Sequence, residues 1–105
     1  MKQYLMGIDI GTSACKVAVF DREGHVVSSA SAGYPVYYPR PGWAEQNPRE
    51  WWQAVCNGVK QALYAGKLSG GEIAGVGIDG QSWSAVLVDK RGRVLANTPI
   101  WMDTR

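Results

Sequence analysis

The sequence predicts an α/β fold, a mixed sheet whose first three strands form an antiparallel meander. Residues 4–36 contain three β-rich apolar runs joined by two short polar turns, and strands joined in this way run antiparallel. Residues 48–65 repeat apolar side chains at helical spacing, and residues 73–78 return to a strand pattern. An order of three strands, a helix and further strands describes a mixed sheet.

The meander begins with a strand over residues 4–10, which is followed by the polar turn Gly11-Thr12-Ser13. Residues 15–20 form the predicted second strand, and the turn after it ends in Gly24. A third strand is predicted over residues 26–36. The first strand therefore leads directly into a hairpin tip.

A helix is predicted after a loop over residues 35–48 that is rich in proline and glycine. Asn47 can cap this helix, Pro48 suits its first position, and Glu50 would complete a capping box. Apolar side chains then recur at spacings of three and four, so one face is expected to be buried. Gly66 is the expected C-terminal stop.

The remainder of the chain is predicted to contain short strands. The strand over residues 73–78 leads to Asp79-Gly80-Gln81, residues 85–88 form another strand, and a turn at residues 89–92 precedes a short strand from Val94. No helix or polar tail follows that would complete a domain. We therefore expect a partial domain.

Composition excludes several classes of protein. Apolar residues make up 46% of the chain and charged residues 19%, as in an ordinary globular protein. A net charge of +2 is too small to indicate a nucleic-acid surface, and no run reaches the ~18 apolar residues of a membrane span. The start of the chain, from Met1, lacks a secretory apolar region. Cys15 and Cys56 are expected to be buried thiols in a reducing cytoplasm, and a single disulfide is left open.

The turn after the first strand carries the clearest chemical signal. Asp9 is a carboxylate at the end of a buried strand, where a Mg²⁺ ion with its waters would compensate its charge. Gly11 allows close approach of a ligand, and Thr12 and Ser13 add hydroxyl and N–H donors suited to phosphate oxygens. Lys16 could add a cation beside them. The alternative is a simple glycine-containing hairpin with a capping aspartate and a surface lysine.

Two further groups of polar residues follow strands. Asp79 stands at a strand end, and if its strand pairs with the first strand, Asp9 and Asp79 face one cleft at the edge where α/β sheets bind ligands. Trp101, Asp103 and Arg105 would lie on one side of an extended segment, an arrangement suited to a hydroxyl-rich ligand. The alternative for Asp79 is an aspartate that only forms a turn. The alternative for the second group is a salt bridge at the surface.

Four stretches, in order and at suitable spacing, resemble the FGGY family of carbohydrate kinases. Gly7-Ile8-Asp9-Ile10-Gly11-Thr12-Ser13-x-x-Lys16 resembles the first phosphate motif of the family. Trp43-Ala44-Glu45-Gln46-Asn47-Pro48, followed by Trp51-Trp52, is similar to the segment that leads into the first helix. Gly77-Ile78-x-Gly80-Gln81 and Ile100-Trp101-x-Asp103-x-Arg105 match two more. The resemblance covers essentially the whole chain.

The resemblance implies the ribonuclease H-like fold of actin-like ATPases, with residues 1–105 as the N-terminal part of the sugar-binding domain. It implies a cytoplasmic enzyme that transfers the γ-phosphate of ATP to a sugar hydroxyl with Mg²⁺ as cofactor. These residues alone are expected to be inactive. The expected partner is a small-molecule sugar, and neither nucleic acid nor a membrane is expected as a partner. A homodimer is left open as the assembly.

The resemblance also implies roles for individual residues. Asp9 would position Mg²⁺ through water. The implied phosphate-binding residues are Gly11, Thr12, Ser13 and Lys16. The residues implied to line the sugar pocket are Gln81, Ser82, Trp83, Asp103 and Arg105. In this family the general base comes from chain beyond residue 105, so no catalytic residue is assigned.

Within the family, the sequence looks most like the xylulokinases. These enzymes commonly carry Gly-Gln-Met-His-Gly where this chain has Gly80-Gln81-Ser82-Trp83-Ser84. Because Trp83 replaces a histidine expected near the sugar, the expected substrates include another ketose, a polyol or a sugar acid besides xylulose.

Two other classes of function share some of these features. A ribonuclease H-like metal-dependent nuclease would use Asp9 and Asp79 as paired Mg²⁺ ligands, but it needs further carboxylates and a basic surface. A non-catalytic actin-like ATPase module would share the first motif only. It would not explain the stretches at residues 43–48 and 101–105.

Overall fold

The structure, a computed structural model, describes residues 3–105. The predicted lack of a secretory segment concerns a stretch whose first two residues, Met1 and Lys2, lie outside the described residues. The strands are β1 (Tyr4–Ile10), β2 (Ala14–Phe20), β3 (Val26–Gly33), β4 (Glu45–Gln46), β5 (Ile73–Gly80) and β6 (Thr98–Pro99). The helical elements are α1 (Pro48–Ala65) and a 3-10 turn at Gly70–Glu72.

Four strands form one mixed sheet in the order β3-β2-β1-β5. The β1–β2 and β2–β3 pairs are antiparallel, which confirms the predicted meander. β5 runs parallel to β1 after the crossover through α1. The condition that the fourth strand pairs with the first is therefore met, and the carboxyl ends of β1 and β5 meet at one edge.

One face of the sheet is covered by α1. Alternate residues of β1 and β2 point to the helix and are buried because the side chains of a strand alternate between its two faces. The buried side chains on these strands are Met6, Ile8, Cys15, Val17 and Val19. They pack with Ala54 and Ala62 of α1 in one apolar cluster. Cys15 lies in this cluster, and both cysteines are free thiols.

The ends of α1 follow the sequence signals with two differences. The side chain of Asn47 accepts a hydrogen bond from the Arg49 N–H at 3.0 Å, and Pro48 begins the helix. The predicted capping box is wrong, because the Glu50 carboxylate accepts a hydrogen bond from the Tyr37 hydroxyl at 2.7 Å instead. Gly66 caps the C-terminus as predicted, but the left-handed backbone falls on Lys67, with φ 54°.

Two predicted elements differ around the loop before α1. The third strand ends at Gly33 rather than at residue 36, because the Tyr34 N–H turns to bond the Ser13 carbonyl at the hairpin tip. The loop itself contains β4, which pairs with β6 in a second, two-stranded sheet. That pairing joins residues about fifty positions apart, so no local pattern in the sequence marks it.

The strands predicted over residues 85–88 and from Val94 do not form. Val88 and Val94 make an isolated bridge on either side of the predicted turn, which Asp89 stabilises by accepting N–H bonds from Arg91 and Arg93. Leu87 is 60% exposed. Alternating apolar residues form a strand only when a neighbouring strand takes their hydrogen bonds, and within residues 3–105 none lies beside this hairpin.

The helices of the described chain include none with both the length and the apolar character that crossing a bilayer requires.

Candidate functional site

Three charged side chains stand in a row across the sheet on the face opposite α1. The register places Asp9 of β1 opposite Lys16 of β2 and beside Asp79 of β5. All three are exposed. The sequence predicts that Asp9 and Asp79 face one cleft if their strands pair. Because residues in register on neighbouring strands point to the same face, both line the concave face of the sheet opposite α1.

The two carboxylates of this row interact with each other. A hydrogen bond between the Asp79 and Asp9 side chains and the negative charge of Asp9 together raise the pKa of Asp79. Two carboxylates held side by side at strand ends are hard oxygen donors with excess negative charge. These residues therefore fit the Mg²⁺ ion that the sequence led us to expect.

The hairpin tip at residues 11–13 is held from several directions. The Gly11 N–H bonds the Ala14 carbonyl at 3.0 Å, and the Gly11 carbonyl accepts a hydrogen bond from the Tyr34 hydroxyl. Burial raises the pKa of Tyr34 to about 12, so its phenol stays a neutral donor at physiological pH. The tip is a supported loop rather than a free hairpin end.

Gln46 is the buried centre of this support and is only 1% exposed. Its Nε2 donates to the Thr12 carbonyl at 2.6 Å and to the Pro35 carbonyl at 3.4 Å. Its Oε1 accepts from Trp51 Nε1 at 3.0 Å and from Gln81 Nε2 at 2.7 Å. One amide thus connects the hairpin tip, the loop, α1 and the segment after β5.

Sequence reasoning quoted Gln46 within a motif but gave it no role. The available signal was a polar residue placed just before the helix cap, in a segment with Trp43 before it and Trp51 after it. Its burial depends on β4 pairing with β6, which the local sequence does not show.

An open cleft of about 860 Å³ lies between the hairpin tip and the segment after β5. It is lined by Asp9, Gly11, Thr12, Gly80, Gln81, Ser82, Trp83 and Trp101. The structure thus brings together one predicted metal-binding residue, two predicted phosphate-binding residues and three predicted sugar-binding residues. Lys16 lines the neighbouring concave sheet face beyond Asp9. Ser13 is exposed at the tip and does not line the cleft.

Both tryptophans of the cleft are largely exposed. Trp83 is 92% exposed and has a left-handed backbone with φ 69°, a conformation that costs a bulky residue free energy. Trp101 is 58% exposed, and its Nε1 donates to the Thr12 hydroxyl oxygen at 2.8 Å. An aromatic wall therefore adjoins the hairpin tip.

Asp103 and Arg105 form a separate cluster outside the cleft. The Arg105 guanidinium bonds Asp103 at 2.7 Å and Glu45 at 2.9 Å, and it stacks 3.9 Å from the Trp43 ring centre. The expectation of an extended segment with both residues on the side of Trp101 is wrong. Residues 101–102 form a turn, because the Asp103 N–H bonds back to the Ile100 carbonyl at 2.9 Å.

The Arg105 guanidinium beside Asp103 lowers the pKa of that carboxyl to about 2. Asp103 also accepts the Ala44 N–H at 2.8 Å, so it is fully ionised at neutral pH and ties the segment after β6 to the residue just before β4.

Comparison with known proteins agrees with the family resemblance of the sequence motifs. Residues 4–105 match the FGGY family of carbohydrate kinases, N-terminal domain. A xylulose kinase of Staphylococcus epidermidis is 36% identical over 105 residues, and a glycerol kinase of Thermococcus gammatolerans is 33% identical over 105 residues. In both comparisons all of this chain aligns with 21% of the relative's length.

A solved structure supports the fold. The crystal structure of a xyloylose kinase from Brucella ovis aligns with a TM-score of 0.92 and 34% sequence identity. The alignment covers 97% of this chain and 22% of that protein. The mixed sheet is therefore that of the ribonuclease H-like, actin-like ATPase fold, as the resemblance implied. The chain spans about a fifth of the length of its relatives, and it belongs to the FGGY family of carbohydrate kinases.

Proposed function

We propose that the full-length protein transfers the γ-phosphate of ATP to a hydroxyl group of a small sugar or polyol, and that residues 1–105 are the N-terminal part of its sugar-binding domain. This proposal rests on one observation. A single cleft is lined by the Asp9 carboxylate, the hairpin tip and an aromatic wall formed by Trp83 and Trp101. Phosphoryl transfer needs mainly positioning and charge stabilisation, which these groups supply.

The phosphate side of the cleft is assigned to β1 and the hairpin tip. Asp9, with Asp79 beside it, would hold Mg²⁺ through its waters, and the ion would offset charge on the transferred phosphate. Gly11 leaves room for close approach of a phosphate, and the Thr12 hydroxyl, which lines the cleft, would donate a hydrogen bond to its oxygens. The Ser13 hydroxyl lies outside the cleft at the same hairpin tip and would reach a phosphate that extends beyond the rim. Lys16 adds a positive charge beside Asp9, on the face that the pair shares.

The sugar side of the cleft is assigned to the segment after β5. The Gln81 nitrogen is engaged by Gln46, whereas its Oε1 is buried and no described residue bonds to it. Gln81 lines the cleft, so a rotation of its amide would present this oxygen to a sugar hydroxyl and would pair an acceptor that costs free energy when left unpaired. Ser82 adds a hydroxyl, and the faces of Trp83 and Trp101 offer packing for the C–H face of a sugar.

Asp103 and Arg105 take a supporting part in this proposal. They anchor the segment that follows Trp101 to β4 and Trp43, and so hold the Trp101 indole beside the cleft. The general base is assigned to chain outside these 105 residues, which is why we expect them to be inactive on their own.

The names of two relatives give different substrates, which are xylulose for one and glycerol for the other. We propose a ketose such as xylulose, a polyol or a sugar acid as the substrate class. The protein would work in the cytoplasm on small molecules, with neither nucleic acid nor a membrane as partner, in line with its net charge of +2.

The test is ATP consumption by the full-length protein across a panel of ketoses, polyols and sugar acids, with residues 1–105 assayed in parallel. We expect turnover with one or two substrates by the full-length protein and none by residues 1–105. DNA cleavage with no sugar-dependent turnover would favour the nuclease alternative. ATP hydrolysis that no sugar changes would favour the ATPase module.

A further inference from the structure

Thr12 lines the cleft and is held by other parts of the chain at both its backbone and its side chain. Gln46 Nε2 fixes its carbonyl at 2.6 Å, and Trp101 Nε1 donates to its hydroxyl oxygen at 2.8 Å. Gln46 is buried and lies before α1, whereas Trp101 comes from the segment after β6. The two contacts thus approach Thr12 from different parts of the fold.

The direction of the Thr12 hydroxyl follows from the chemistry of these contacts. An indole N–H can only donate, and a hydroxyl has one hydrogen to donate and lone pairs to accept. Because Trp101 occupies a lone pair of Oγ1, the Thr12 hydrogen cannot point at the indole. Within residues 3–105 no group accepts that hydrogen. It is left to donate to a ligand in the cleft.

We propose that Trp101 is a positioning residue for phosphoryl transfer, whose indole N–H sets the Thr12 hydroxyl as a donor to the phosphoryl group. The inference rests on the proposed kinase function. It also couples the two halves of the site. A sugar packed against the indole would further restrain the ring and with it the Thr12 hydroxyl, so sugar binding would strengthen a contact that the chain already forms.

The first experiment measures steady-state kinetics of the full-length Trp101→Phe variant with the sugar identified by the panel. Phenylalanine keeps an aromatic face for the sugar but removes the N–H. We expect kcat to fall about tenfold, the effect of one hydrogen bond, with the KM for sugar changed less than about threefold. Trp52→Phe is the matched control, because Trp52 is 67% exposed on α1 and outside the cleft, and its kinetics should equal wild type.

A double-mutant cycle with Thr12→Val tests the coupling. If the indole acts through the Thr12 hydroxyl, Trp101→Phe has little further effect on kcat in the Thr12→Val background. Independent, multiplying losses would overturn the proposal, and so would an unchanged kcat in Trp101→Phe alone.

A spectroscopic measurement without substrate checks the hydrogen bond itself. In protein labelled with ¹⁵N-tryptophan, the Trp101 indole N–H resonance is the one lost in Trp101→Phe. It should shift upfield in Thr12→Val and keep its position in Thr12→Ser, which retains the hydroxyl. An unmoved resonance in Thr12→Val overturns the proposal.

These experiments distinguish a failure of the proposed kinase function from a failure of the role given to Trp101. If the wild-type protein shows no sugar-dependent turnover, the proposed function fails and this inference fails with it. If wild type turns over and Trp101→Phe behaves as wild type, only the role of Trp101 is wrong.

Discussion

At the residue scale, Asp9 occupies the position on which the proposed chemistry depends most. It lies beside Asp79 and opposite Lys16, and it opens into the same cleft as Thr12. Its exposure means that it contributes little to folding, so its substitution should separate chemistry from stability.

Asp9→Asn in the full-length protein should lower kcat by about two orders of magnitude, the scale of losing one preorganised electrostatic contact. Sugar affinity should change little, because the sugar side of the cleft is built from other residues. Kinetics and sugar titration measure the two effects separately. Glu23→Gln, in the exposed β2–β3 turn, is the control, and activity near wild type in Asp9→Asn would contradict the metal role.

Trp83 is the residue on which substrate choice should depend. Because the side chain is 92% exposed, the fold does not rely on its packing. Trp83→His should therefore change the ranking of sugars in the panel while the protein stays soluble and its melting temperature stays close to that of wild type. An unfolded variant would show that Trp83 is instead part of a packed interface in the full-length protein.

At the scale of elements, the contact between α1 and β2 is tight at one position. A Cβ atom on Gly58 would stand 2.9 Å from Cγ2 of Val17, which is 1% exposed and has no room to move. The glycine therefore sets how closely the helix approaches the sheet.

Gly58→Ala tests this packing because two effects oppose each other. Alanine in place of glycine favours a helix by about 1 kcal/mol, whereas overpacking a core costs about 1–3 kcal/mol. We expect a net loss of about 1 kcal/mol and a lower melting temperature. Asn57→Ala, at the neighbouring exposed position, is the control and should keep or raise the melting temperature. A stabilised Gly58→Ala variant would show that α1 can move away from β2 at little cost.

At the scale of the whole molecule, the cluster of Asp103, Arg105 and Glu45 joins segments about sixty positions apart. It connects the region after β6 to β4, which in turn carries Gln46 beneath the hairpin tip. The integrity of the cleft thus depends on an ion-pair cluster outside it.

This cluster predicts a pH dependence of stability. Because the pKa of Asp103 is about 2 in the folded protein and near 3.9 in an unfolded chain, its ionised form favours folding. That contribution is complete above about pH 4 and is lost as the pH falls towards 2. Melting temperatures of wild type and Asp103→Asn should differ at pH 6 and converge at pH 2. A constant difference over this range would contradict the assignment.

The three-strand meander, the helix and the presence of a fourth strand could be predicted from local sequence, whereas the pairing of that strand with β1 entered only as a condition. Each of these elements has a local cause, in alternating apolar residues, short turns or a proline and asparagine at a helix start. The same local patterns identified the turn that carries Asp9, Gly11 and Thr12.

The support of the cleft depends on contacts that form only when distant segments of the chain come together. The β4–β6 pair, the burial of Gln46 and the Trp101–Thr12 hydrogen bond each join residues far apart in the chain. The alternating apolar residues at 85–88 do not form the predicted strand because no described strand pairs with them. The turn at residues 101–102 places Asp103 and Arg105 outside the cleft. Local propensity specifies an element, but the partner that takes its hydrogen bonds is chosen by the folded chain.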